Sequence, residues 1–139
     1  MNTYLQPLSR VLLAILFIFS GFGKIPAFAM VSGMMGQKGF PAPGLFLAIA
    51  LVIELMGGLL LLIGYKTRIA SLALVIFMIP TTVIFHMAAV DGTQAGQMEV
   101  IATLKNLALI GGLLQVMVNG AGAYSVDGIA PRGMKSVTA

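Results

Sequence analysis

The stretch Gly44–Pro80 reads GLFLAIALVIELMGGLLLLIGYKTRIASLALVIFMIP, and it decides the fold. On each side of Lys66-Thr67-Arg68 the chain is almost wholly apolar, over about the 20 residues that a helix needs to cross ~30 Å of hydrocarbon. The polar connection leaves room only to reverse the chain. This segment is predicted to form a tight antiparallel hairpin of two membrane-spanning helices, over about 44–64 and 69–90.

Outward from the hairpin, two more apolar runs have the same length. One covers about 8–28, with an unbroken core at Val11–Phe19, and the other covers about 100–118. The expected fold class is therefore all-α: an integral membrane antiparallel four-helix bundle, with 1–118 as one transmembrane domain. The connection 26–43 is read as an interfacial loop. Met30, Val31, Met34 and Met35 suggest a short amphipathic piece, and Phe40-Pro41-Ala42-Pro43 stops it, because Pro cannot continue a helix. Asp91–Glu99 is a short polar turn. The tail 119–139 is rich in Gly, Ala and Ser and reads as a flexible cytoplasmic segment. Arg10, the apolar core and Ala27-Phe28-Ala29 imitate a cleavable leader. Lys24 and Pro26 do not suit one, so the first run is read as a retained helix.

Composition agrees with a lipid setting. Of 139 residues, 59% are hydrophobic and 9% charged, against about a quarter charged in soluble domains. With no cysteine and one histidine, the chain alone can build no disulfide, Fe–S cluster, thiolate zinc site or bis-histidine haem. No intrinsic cofactor is expected, and the ten methionines read as flexible apolar filler. The net charge of +4 is scattered over helix ends without interleaved aromatics, so nucleic acid is not an expected partner. The bilayer is. Arg10, Lys66, Arg68, Arg132 and Lys135 fall on one side, with Lys24, Lys38 and Lys105 on the other, which places both termini in the cytoplasm.

Candidate chemistry lies in the polar groups within spans, where each charge costs roughly 3 kcal/mol or more unless partnered. Glu54 sits about ten residues into the second span, hence ~15 Å deep. Gly57 and Gly58 follow on a face where another helix can approach closely. With alternating helix directions, Lys24, Glu54, His86, Lys105 and Asn106 all fall in the outer half of the bundle, drawn from four helices. Ser20 lies one turn before Lys24 and Thr82 one turn before His86. Pro80 should disturb the third span just before this layer. The same residues also read as an ion pair fixing helix register, with His86 and Asn106 as interhelical hydrogen-bonding groups and Lys24 snorkelling to headgroups.

Six stretches in order resemble the DoxX family. They are Phe19-Ser20-Gly21-Phe22-Gly23-Lys24, Phe40-Pro41-Ala42-Pro43, Glu54-Leu55-Met56-Gly57-Gly58, Gly64-Tyr65-Lys66-Thr67-Arg68, Lys105-Asn106-Leu107 with Gly111-Gly112, and Gly122-Ala123-Tyr124-Ser125-Val126-Asp127. Asn119-Gly120-Ala121-Gly122 departs from the Gly-Pro-Gly common there. The resemblance implies a four-helix bacterial inner-membrane protein, in a group with some members tied to thiosulfate:quinone oxidation or membrane redox complexes. On that basis the expected function is a subunit of a quinone-linked redox system. Glu54 and His86 would handle protons, and Lys24, Lys105 and Asn106 would hold a quinone. A redox protein or a second copy of the chain would be its partner. The alternatives are a non-catalytic anchor with structural charges and, as an oligomer, a small-solute or proton pathway.

Overall fold

The computed structural model describes residues 3–129, which are all-helical apart from turns. The elements are α1 (Leu5–Lys24), α2 (Phe28–Gln37), α3 (Pro43–Ile63), α4 (Thr67–Thr81), α5 (Gln94–Asn119) and α6 (Val126–Ile129). Beyond α4 the helix runs on through a π-turn, Thr82–His86, and a 3₁₀ turn, Met87–Ala89. Four helical segments are long and apolar enough to cross a membrane: Leu5–Lys24, Pro43–Ile63, Thr67–Ala89 and Gln94–Asn119. The membrane bundle expected from the sequence is thus present.

The element ends follow local chemistry. Ile25 keeps helical dihedrals, but Pro26 has no amide to donate to the ladder, so α1 stops at Lys24 and the expected run to 28 is divided between α1 and α2. Lys66 takes a left-handed conformation, φ 45°, and lets α4 start at Thr67, three residues after Gly64 caps α3. α5 begins six residues before the expected Val100 because Thr93 caps it. The Thr93 hydroxyl accepts from the Gly96 amide at 3.1 Å, and Asp91 in turn holds Thr93. Past Pro80, which cannot donate to the helix ladder, Thr81 and Thr82 donate their hydroxyls to Phe77 and Met78 carbonyls and the backbone widens into the π-turn.

α3 is the central helix, and its adjacent glycines make it so. A Cβ on Gly57 would come within 2.8 Å of Leu74 on α4, and one on Gly58 within 3.3 Å of the Ala14 carbonyl on α1. One glycine admits each neighbour. Around this crossing pack Ala14, Phe17, Leu61, Leu74, Met78 and Leu113. α4 then packs on α5, whereas α1 and α5 touch along a short stretch only, so the ring of helices stays parted on that side. α2 lies against the start of α3, and Phe40 stacks on Phe85 of the π-turn at 5.8 Å between ring centres.

The described part of the tail differs from the expectation of a loose segment. Ala121 and Ser125 are buried, and Asp127 is bonded to the α3–α4 turn. Its own carbonyls, which receive Arg10, and the Asp127 carboxylate hold it in place. The rest of the expected tail, 130–139, lies outside the described residues.

Candidate functional site

Lys24 ends α1 and turns its ammonium back along the helix toward the bundle interior. It donates to Ser20 Oγ, one turn earlier, at 2.6 Å and to both carboxylate oxygens of Glu54 at 2.9 Å. Ser20 donates to Glu54 Oε1 at 3.3 Å. Glu54 is 5% exposed, while the Lys24 side chain keeps 30% of its surface. Close backbone approach makes this reach feasible. A Cβ on Gly21 would meet Leu55 at 2.7 Å, so α1 and α3 are in van der Waals contact just beside the pair. In a medium of low dielectric the two charges attract strongly, and desolvation consumes much of that gain unless every lone pair is satisfied. Here Oε1 accepts two hydrogen bonds and Oε2 one.

The other expected site residues form two further groups. Asn106 on α5 donates to the Thr82 hydroxyl at 3.1 Å, and both are buried, which ties α5 to the π-turn. His86 Nδ1 lies 2.6 Å from Glu99 Oε2, with each side chain about one-third exposed, close to the α4–α5 connection. Lys105 is on the exposed face of α5 and makes no hydrogen bond or ion pair among the described residues. Adjacent residues on a helix point about 100° apart, so Asn106 facing inward turns Lys105 outward. Five residues expected in one layer thus occupy one ion pair, two separate polar contacts and one exposed position.

A second buried cluster, at the opposite end, is one that the sequence reading treated as topology and tail. Arg10 is 2% exposed. It donates to the carbonyls of Ala121, at 2.6 Å, and Tyr124, at 3.0 Å, while its Nε finds no partner. Asp127 accepts from the amides of Lys66 and Thr67 at 2.8 and 3.0 Å and from the Thr67 hydroxyl at 3.0 Å. Its own amide donates to the Gly64 carbonyl at 2.9 Å. Burial alone would raise the Asp127 pKa. The Thr67 and Lys66 amides, the Thr67 hydroxyl and the nearby Arg10 charge outweigh it and hold the carboxyl below the usual aspartate range. Gly64, at φ 70°, has Arg10 and Ser125 where a Cβ would stand, so the turn accepts no side chain.

Comparison with known proteins places the molecule. The family model DoxX matches residues 6–87, from α1 through the π-turn, including Lys24 and Glu54. The inner membrane protein YqjF of Escherichia coli K12 is 35% identical over 119 residues, covering 86% of each chain. The inner membrane protein YphA of the same organism is 30% identical over 121 residues, again 86% of each chain. No solved structure matches. Four spanning helices, a family match over α1 to the π-turn, and two relatives aligned over most of their length make this chain an integral membrane protein of the DoxX family.

Proposed function

We propose that this protein is a membrane-embedded, non-catalytic subunit of a redox assembly, in which the Lys24–Ser20–Glu54 group fixes α1 on α3. The observation that carries this reading is the closure of the ion pair: both Glu54 oxygens are taken by Lys24, and the ammonium is further engaged by Ser20. A group that binds substrate needs a free donor or acceptor directed at it. The redox setting rests only on the resemblance to those members of the family tied to redox complexes, and electrons would be handled by the partner. The inner-membrane relatives support a bacterial inner-membrane location. Arg10, Lys66 and Arg68 gathered at one end support cytoplasmic termini. The chain has no cysteine, so a single Cys placed at the exposed Gln94 and probed with an impermeant maleimide reports the orientation. Labelling from outside is expected.

A second reading has one observation in its favour. Lys24 retains 30% of its side-chain exposure at a helix end, the depth where a quinone head group would sit. The two readings separate on one preparation, extracted in native lipid as wild type, Glu54→Gln and the double variant Lys24→Met with Glu54→Met. The structural reading expects the same proteins to copurify with wild type and with the folded double variant. Quinone that stays with wild type and leaves folded Glu54→Gln overturns it in favour of a quinone site.

A further inference from the structure

The parted side of the helix ring forms a cleft of about 320 Å³ between α1 and α5. Its depth is apolar, walled by Leu12, Leu13, Gly112 and Val116, and its mouth is amide-rich, with Gln6, Gln115 and Asn119. From Gln6 to Leu13 it runs about 10 Å along the helix at 1.5 Å per residue, or two-thirds of the ~15 Å depth of one leaflet. At the mouth it joins a wider cleft through shared Gln6, Asn119 and Gly120, and that second space is bordered by the exposed cations Lys66 and Arg68. The Arg68 guanidinium stands beside Gly120, where the two clefts meet. All three tyrosines of the chain, Tyr4, Tyr65 and Tyr124, lie at this end, as residues at a membrane–water boundary do.

We propose that this composite cleft holds one anionic phospholipid, with an acyl chain between α1 and α5 and its phosphodiester against Arg68 and Lys66. The amphipathic order of the walls matches a lipid from tail to headgroup. The Gln6 and Gln115 side-chain amides can donate to glycerol-ester oxygens, the Asn119 amide being spent on the Gln115 carbonyl and side chain. Charge sets the class of lipid. Asp127 borders the same space, but its oxygens are committed to the Lys66 and Thr67 amides with Arg10 nearby, which leaves Lys66 and Arg68 as the available charges. An unfilled cleft in the plane of a bilayer is filled by lipid in any case; the specific claim is a site that selects negative headgroups.

The test reconstitutes the full chain in nanodiscs of equal phosphatidylglycerol and phosphatidylcholine, and counts lipids retained after transfer to detergent by native mass spectrometry. Wild type is expected to keep one phosphatidylglycerol with a preference on the order of 25-fold, about fivefold for each of the two basic residues. Arg68→Gln with Lys66→Gln should bring the ratio near one with helix content unchanged. Gly112→Leu, which fills the cleft from α5, should lower retention of both lipids. Equal retention by wild type overturns the proposal, as does a preference that survives the double substitution. A disulfide between two Ser9→Cys chains, formed with no lipid retained, assigns the cleft to a second copy and also overturns it.

Discussion

α1 carries a cation near each end, and the surroundings of the two differ. Arg10 is buried against backbone carbonyls of the segment after α5, with no carboxylate in ion-pair range among the described residues. Lys24 meets a full countercharge, Glu54, on the neighbouring span. The first arrangement uses the guanidinium as a multi-pronged donor that organises a segment without regular structure. The second uses the ammonium as a point charge between two rigid helices. A planar fork suits dispersed carbonyls, and a compact charge suits a single carboxylate. The ends of the bundle are accordingly held by different physics, and each can be disturbed without the other.

The largest expected effect is at the Lys24 end. Glu54→Gln strands a lysine charge and should lower stability by about 3 kcal/mol, discounted by whatever Lys24 recovers when its partly exposed side chain swings outward. Lys24→Met with Glu54→Met should regain most of the loss, as read by thermal unfolding in lipid. A double variant as weak as the single one would break the idea that the pair is chiefly structural. At the other end, Arg10→Met removes two charge-assisted hydrogen bonds but also relieves the burial of a charge with an unpartnered Nε, for a net cost of about 2 kcal/mol. The same change should open residues 120–129 to protease, which Glu54→Gln should not.

Between the two ends, glycine contacts sharpen the contrast further. Gly58→Ala places a Cβ 3.3 Å from main-chain atoms of α1 and should cost about 1–2 kcal/mol. Gly111→Ala, which faces open space, should cost nothing measurable. The smallest measurable effect is titration of Asp127. Its folded pKa lies below the ordinary aspartate value, so its contribution is complete above about pH 4 and fades as pH falls through the folded value. Wild type should lose stability in acid relative to Asp127→Asn, and the two should run parallel at neutral pH.

Sequence carried some of this and not the rest, for reasons visible at particular residues. Hydrophobic run length is a property of composition, so the spans were readable, as was the need of Glu54 for a partner. Choosing between Lys24 and Lys105 was not, because helix rotation depends on packing. Once Asn106 faces Thr82, Lys105 is turned away. The segment after Asn119 looked loose because its residues are small and weakly polar. Its attachment runs through the Ala121 and Tyr124 carbonyls, which every residue type possesses. Asp127 was quoted only as part of a family motif, since nothing in its neighbours announces a cap on a helix starting 60 residues earlier.

The bond from Asp127 to the Lys66–Thr67 turn has a consequence for biosynthesis. The α3–α4 hairpin leaves the ribosome well before residue 127 is made, and Arg10 leaves earlier still. Until the last described segment arrives, the start of α4 lacks its carboxylate and the guanidinium of α1 has no carbonyls to meet. Late-made residues therefore close a joint among early-made helices. A chain interrupted after α5 would have all four spans threaded and yet leave Arg10 without the two carbonyls that receive it.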